Sequence, residues 1–339
     1  MAQEMFLSCF LCLTIPLCEI ALAAASEHAF PKLGAERPQS LPVSNTSGSN
    51  DGNLHLVQAR HGTYLVDASN DIIDKILLDY GEFDEEESMV FSQIVPQGGI
   101  VLEIAANMGP YTLLLSRLVG NRGVVHAVEP NPVVVHQLHA QLALNRVTNV
   151  AVHNVAIGSE KAEGAFVRVA AAAGVSGRHF VNTKELKSSS DAGQSGQPSC
   201  SSSTSIATCE SGTGQLEFYT RVTTVDSLRL PWCNVMKLDA EGNEMEILLG
   251  AGATINRSRP LIYAEDHYTR VHLSPVVRFL KRQQYILYLH TFKTLMCREP
   301  KPDSFPCDYE ERSILAVPEE KLASVRQLSP ILEAMTPIS

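Results

Sequence analysis

From Gly99 onward the chain alternates between two rhythms. Short apolar runs, GIVLEIAA, GVVHAVE and VAVHNVAI, are separated by longer stretches, PYTLLLSRLV and PVVVHQLHAQLALN, whose apolar residues recur at helical spacing. The first kind predicts buried strands and the second helices. Strands separated by helices at this spacing predict βαβ units and a mostly parallel sheet with helices on both faces. The pattern resumes after a gap. LEFYTRVTTVDSL gives a strand and turn, NVMKLDA a buried strand, NEMEILLGAGATI a helix, RPLIYAE a strand, and SPVVRFLKRQQ a helix with basic residues near its C-terminus. YILYLH and RSILAVP form a final strand pair. The expected architecture is α/β, a mostly parallel doubly wound sheet with an antiparallel edge strand.

Upstream, DIIDKILLDYGEFDEEESMVFSQIV places apolar residues at helical spacing on two segments broken near Gly81. The acidic run Asp84 to Glu87 falls in the first turn of the second, where its charge suits the helix dipole. That reading is preferred to a metal role. Residues 26–53 are rich in Ser, Asn, Gly and Pro without periodicity and are expected to be a flexible leader. The Ser-rich segment at about 187–213 buries too little to offset its ordering entropy and is expected to be a disordered insertion. It is no domain linker, because the α/β pattern continues beyond it.

With 339 residues, 45% of them hydrophobic, the chain is long enough for one large α/β domain plus appendages. The expected domain covers 54–317, with a tail at 318–339. A formal net charge of −10 argues against nucleic acid and anionic membrane surfaces as partners. Residues 1–25 differ from the rest: MFLSCFLCLTIPLC is an uncharged apolar run, followed by the small residues ALAAAS. This pattern resembles a signal peptide or signal-anchor, so the secretory lumen or secretion is expected, with a cytoplasmic or organellar location as the alternative. Beyond such an anchor no membrane insertion is expected. In an oxidising compartment Cys200 with Cys209 and Cys297 with Cys307 are candidate disulfides, leaving Cys233 as a small buried hydrophobe. Asn45 and Asn256 open candidate glycosylation sequons.

Ligands of open α/β sheets bind outside the carboxyl ends of the strands, near the topological switch point. The residues just after each predicted strand are therefore the candidates. Ala105-Ala106-Asn107-Met108-Gly109 follow the first and Glu129 the second; Asn154 ends the third. Asp239, Glu241 and Gly242 follow the fourth, and Glu265, Asp266 and His267 the fifth. Glu129 stands at the end of its strand, where an acid accepts hydrogen bonds from both ribose hydroxyls of an adenosine. Its other reading is an acid favoured by the dipole of the following helix. A pyrophosphate needs several glycines for close backbone approach, and VLEIAANMGPYT carries one. That shortage counts against a nicotinamide dinucleotide and is compatible with S-adenosylmethionine, which has no phosphate.

GIVLEIAANMGPYTLLLS, VHAVEPNP, VHNVAIGS and VMKLDAEGNEMEILLGA resemble the successive motifs of FkbM-type S-adenosylmethionine-dependent methyltransferases, over roughly residues 54–317. The resemblance implies a Rossmann-like methyltransferase fold and O-methylation of a hydroxyl on a glycan, lipid or small molecule. It implies that Glu103, Ala105, Asn107 and Gly109 form the cofactor loop. Glu129 would bind the ribose, with Asn154 and Ala156 beside the adenine. Lys237, Asp239, Glu241, Gly242 and Glu244 match the signature lysine-x-D-x-E-G-x-E. Two positions depart from the family: Glu103 stands where Asp is usual and Ala105 where Gly is usual. Alanine does not easily take a positive φ, so a catalytically inactive binding protein of the same fold is the alternative.

Methyl transfer is an in-line displacement, and a general base helps when the acceptor is a neutral hydroxyl. Asp239 is the first candidate for that base, followed by Glu265 and His267. The competing role for Asp239 is to cap the helix that begins near Asn243. A cation held by Asp239, Glu265 and His267 is the alternative to the expectation of no metal.

Overall fold

The computed structural model describes residues 39–42, 54–68, 72–160, 166–170, 208–210, 216–268, 270–293, 310–326 and 329–338. Strands β1 (Gln39–Pro42), β2 (Leu54–Ala59) and β3 (Gly62–Asp67) pair antiparallel in that order. Helices α1 (Ile72–Tyr80) and α2 (Glu85–Ile94) follow, as the helical spacing predicts. The main sheet opens with β4 (Ile100–Ile104), α3 (Thr112–Val119), β5 (Val124–Val128), α4 (Pro132–Leu144) and β6 (Val150–His153). A small sheet comes next, made of β7 (Ala156–Ile157), β8 (Phe166–Ala170), β9 (Thr208–Glu210) and β10 (Leu216–Thr223). The main series then resumes with β11 (Val235–Leu238), α5 (Glu244–Leu249), α6 (Gly252–Ser258), β12 (Leu261–Glu265) and α7 (Pro275–Arg282). It ends with β13 (Tyr285–Lys293), β14 (Glu310–Pro318), α8 (Leu322–Arg326), α9 (Ser329–Ala334) and β15 (Thr336–Pro337).

The main sheet has the order β15-β13-β14-β12-β11-β4-β5-β6. From β6 to β12 all pairings are parallel, and β14 then runs antiparallel to both β12 and β13. This is the mostly parallel, doubly wound sheet the rhythm predicts, and it is Rossmann-like, as the family resemblance implies. Its antiparallel strand β14 lies two places inside the end of the sheet, with β13 and β15 beyond it. The chain leaves β4 toward β5 on one side and returns to β11 on the other, so the switch point lies between β4 and β11.

Local chemistry explains the elements. Asn131 caps α4 by accepting the Val133 N–H at 3.0 Å, with Pro132 in the first turn. Ser274 and Pro275 open α7 in the same way, and Lys281 and Arg282 close it at the negative end of its dipole. Leu102, Met236 and Ile262 lie in one apolar cluster, while Val57, Tyr64, Leu113 and Leu138 lie in another. Among the described residues no helix is long and apolar enough to cross a membrane.

Two side chains of α4 complete the edge of β3. Gln141 accepts the Leu65 N–H at 2.9 Å and donates to the Leu65 carbonyl at 2.8 Å; Asn145 does the same for Thr63 at 2.8 and 2.7 Å. Each amide supplies one donor and one acceptor, as a neighbouring strand would.

Four expectations change. VAVHNVAI is divided at Asn154 between β6 and β7, which belong to different sheets. NEMEILLGAGATI breaks into α5 and α6 at Gly250, where the backbone passes so close to the Gly158 carbonyl that a Cβ would collide with it. The leader reading of 26–53 is corrected for Gln39–Pro42, which pairs with β2; ladder hydrogen bonds hold a strand without any apolar alternation. In the same way β9 lies inside the 187–213 segment and pairs with β10. Cys233 is buried and free, as expected. Residues 1–25, Asn45, most of the Ser-rich insertion, and Cys200, Cys297 and Cys307 with their expected disulfides lie outside the described residues.

Candidate functional site

Two turns face each other across the switch point. The first, after β4, has three left-handed residues: Ala105 at φ 61°, Asn107 at 52° and Gly109 at 98°. At Gly109 a side chain would be strained by the backbone itself, and its Cβ would stand 2.7 Å from Leu138 Cδ1, which would have to move. The Ala106 N–H donates to the Val128 carbonyl at 3.0 Å and the Gly109 N–H to the Ala106 carbonyl at 3.1 Å, which holds the turn against β5. Ala105 therefore takes the conformation that its family position requires, at a cost of about 1–2 kcal/mol relative to glycine.

Glu129 ends β5, buried. Its Oε2 accepts the Asn107 N–H at 3.1 Å and its Oε1 the Asn131 N–H at 2.8 Å. Burial pushes this carboxyl up to about 7, although the two backbone donors pull it down. A carboxylate has about four acceptor positions, so two stay open. Asn154 spends its amide on the Glu129 and Pro130 carbonyls at 2.9 and 3.0 Å, so it fixes this loop from behind. Ala156 is buried on β7, opposite Val222 of β10.

Glu103, on β4, is only 1% exposed. Its Oε2 accepts from Thr112 Oγ1 at 2.7 Å, while its Oε1 is sealed from solvent and has no hydrogen-bond partner. Burial raises it to about 7, against the pull of Lys237.

The second turn, after β11, explains the K-x-D-x-E-G-x-E signature residue by residue. Lys237 sits in a strand that is buried throughout, and its Nζ lies 2.8 Å from Asp239 Oδ2 and 4.7 Å from the centre of the Tyr111 ring. Desolvation lowers the Lys237 pKa, but the carboxylates of Asp239, Glu87 and Glu103 raise it further, so it stays charged. Asp239 is 39% exposed. Burial pushes its pKa up, yet Lys237 outweighs that and holds it below the ordinary carboxylate value. Glu241 and Gly242 are left-handed, at φ 51° and 96°. Glu244 reaches back to accept the Ala240 N–H at 2.8 Å and the Gly242 N–H at 3.2 Å. Glu244 thus braces the turn that precedes α5, and no side chain caps that helix, Asp239 included.

Glu265 ends β12. Its Oε2 lies 3.2 Å from His267 Nε2, and Glu241 Oε2 is 3.9 Å from the same nitrogen. The neighbouring Glu265 carboxylate raises the His267 pKa, and burial raises that of Glu265. Beneath Lys237, Glu87 of α2 accepts hydrogen bonds from the Tyr111 and Ser313 hydroxyls. The acidic run on α2 is therefore more than a complement to the helix dipole. Glu85 pairs with His61 at 2.7 Å, and Glu87 enters the site.

The model of the Methyltransferase FkbM domain matches residues 103–287, more than half of the chain, and that span holds both turns. The chain belongs to the FkbM methyltransferase family. S-adenosylmethionine is accordingly its cofactor. The described structure is similar to a methyltransferase FkbM from Methylobacillus flagellatus KT, at 15% identity and TM-score 0.38 over 64% of this chain and 43% of the other, so it spans less than half of that protein. It is also similar to a precorrin-6y C5,15-methyltransferase from Geobacter metallireducens GS-15, at 14% identity and TM-score 0.40, covering 69% and 88% of the two chains. A third similar structure is an O-methyltransferase from Thermotoga maritima, at 11% identity and TM-score 0.40, covering 78% and 77%. Likeness at this level decides neither substrate nor reaction. No curated protein sequence matches the chain.

The FkbM site fits its cofactor chemically. The orphaned Glu103 Oε1 is an acceptor in want of a donor, which an ammonium supplies. The two open positions on Glu129 match two ribose hydroxyls. Of the residues expected from sequence, Glu103, Ala105, Asn107, Gly109 and Glu129 gather around the first turn. Asp239, Glu265 and His267 gather around the second. Glu87, Tyr111 and the depth of Lys237 escaped the sequence reading, and only the lysine within an apolar strand gave a signal.

Proposed function

We propose that the chain transfers a methyl group to a hydroxyl of a small-molecule, glycan or lipid acceptor. The observation that carries this reading is Asp239 just beyond β11, 39% exposed and held in its ionised form by buried Lys237 at 2.8 Å. When bound, S-adenosylmethionine supplies an electrophilic methyl on a sulfonium. Glu129 and the Asn107 turn would hold the adenosine end, and Glu103 the ammonium end. Asp239 would orient the acceptor hydroxyl and accept its proton as the methyl passes from sulfur to oxygen, the carbon–sulfur bond breaking to leave a neutral thioether. Most of the catalysis comes from positioning, and the base adds about 10²- to 10⁴-fold. The apolar segment at the N-terminus supports a place for this chemistry in the secretory route, which sequencing of the mature N-terminus checks.

The competing reading is a binding protein that has lost catalysis. Its motive was Ala105, and that residue's left-handed backbone removes much of the force of the objection. Transfer from labelled S-adenosylmethionine into a panel of hydroxyl acceptors separates the two. Asp239→Asn is expected to slow transfer about 10²- to 10⁴-fold while S-adenosylhomocysteine binding stays within about threefold. Transfer in the variant within about tenfold of the parent removes Asp239 as base. Tight binding with no transfer to any acceptor favours the binding protein.

A further inference from the structure

We propose that the carboxyl ends of β11 and β12 form a site for one divalent cation, held by Glu241, Glu265 and His267. The inference rests on the methyltransferase reading above, since it assigns the cation to the acceptor side of that cleft. One ligand atom from each residue lies within 4.8 Å of the other two. His267 Nε2 is the common vertex, 3.2 Å from Glu265 Oε2 and 3.9 Å from Glu241 Oε2. Two donors each about 2.1 Å from one ion stand about 3.0 Å apart at a right angle and about 4.2 Å apart across it. The triangle therefore encloses a point at bonding distance with only a small rotation of side chains.

A second observation is independent of this spacing. Glu265 Oε2 is cut off from solvent and makes no well-aligned hydrogen bond; its contacts are the His267 imidazole at 3.2 Å and the Asp239 carboxyl, whose charge opposes its own. With Glu241 at 3.9 Å from the same imidazole, three carboxyl groups gather about one nitrogen, and a cation among them offsets their repulsion. Asp239 does not need the ion, because Lys237 already satisfies it at 2.8 Å. This explains why Glu241 joins the cluster in its place.

Two carboxylates and one imidazole make an O,O,N set that suits Mn²⁺ or a similar ion, and two negative charges balance the dication. Three protein ligands leave positions for water or for an acceptor oxygen. The ion sits beside Asp239, where it lowers the pKa of a coordinated hydroxyl as a Lewis acid does.

The test uses the full chain, stripped with EDTA and titrated with Mn²⁺ while the signal of the free ion is followed by electron paramagnetic resonance. One ion per chain is expected. His267→Ala and Glu265→Gln should each weaken binding by at least about tenfold, and the exposed Glu310→Gln should not. His267 is 38% exposed, so its variant is expected to fold, which its melting curve checks. Absence of stoichiometric Mn²⁺ binding, or equal binding by both variants and the parent, overturns the site. S-adenosylhomocysteine is titrated into the same samples in EDTA. Binding there with no Mn²⁺ site overturns the cation alone, whereas loss of that binding overturns the methyltransferase reading beneath it.

Discussion

The backbone N–H of Asn107 donates to Oε2 of Glu129 at 3.1 Å, so the turn after β4 and the acid after β5 are one unit. The carboxylate that is to meet the ribose also holds the turn that is to meet the rest of the cofactor. Glu129→Ala removes both functions. Charge-assisted hydrogen bonds are worth about 1.5–3 kcal/mol each, so S-adenosylhomocysteine affinity should fall about 10- to 100-fold. Isothermal titration calorimetry reads this, and unchanged affinity removes Glu129 from the site.

Ala105 stands at φ 61° with a Cβ that this region disfavours. Ala105→Gly relieves that strain but adds freedom to the unfolded chain, which returns about 0.4–1 kcal/mol. The net stabilisation should be about 1 kcal/mol, or about 2–4 °C in Tm for a domain of this size. Calorimetric scans measure it. A lower Tm in the variant would mean that the alanine side chain gains more from packing than the backbone loses.

Lys237 is buried, while its partner Asp239 is 39% exposed. Solvent screens the aspartate, so Lys237→Met should cost about 1–3 kcal/mol, less than the 3–5 typical of breaking a fully buried pair. The double variant with Asp239→Asn should cost less than the sum of the two single changes. Urea unfolding of all four proteins gives the coupling. Additivity within about 0.3 kcal/mol would show that the two charges do not sense each other.

The acid at 129 also predicts a pH dependence. Burial raises its folded pKa to about 7 from an ordinary 4.5, so between these values the folded state binds more protons than the unfolded one. For an acid shifted upward, its stabilising contribution is full below the unfolded value and fades as pH rises through the folded one. Glu129→Gln lacks this loss. Relative to the parent it should gain about 2–3 kcal/mol between about pH 5 and pH 8 without ligand. Urea midpoints at the two pH values test this, and a constant gap contradicts the burial argument.

The strand-end residues were legible because period and position are local properties. VVHAV announces a buried strand, and the residue that follows it must sit at the carboxyl end of the sheet, as Glu129 does. Glu87 was not legible. Its local context is an acidic first turn, which the helix dipole explains fully, and its partners Tyr111 and Ser313 come from distant parts of the chain. Glu241 was named in the signature, but its approach to His267 depends on a left-handed turn that sequence spacing does not reveal. Asn154 follows β6, and the commitment of its amide to the Glu129 and Pro130 carbonyls is a matter of tertiary contact that spacing along the chain does not reveal.

The amides of Gln141 and Asn145 have a consequence outside the cleft. By taking the donors and acceptors of Leu65 and Thr63 they leave the flank of β3 nothing to offer an extended segment of another chain. An unguarded flank of that kind is a template for aggregation. Two polar side chains, one helical turn apart, thus keep a short apolar hairpin from becoming a point of self-association.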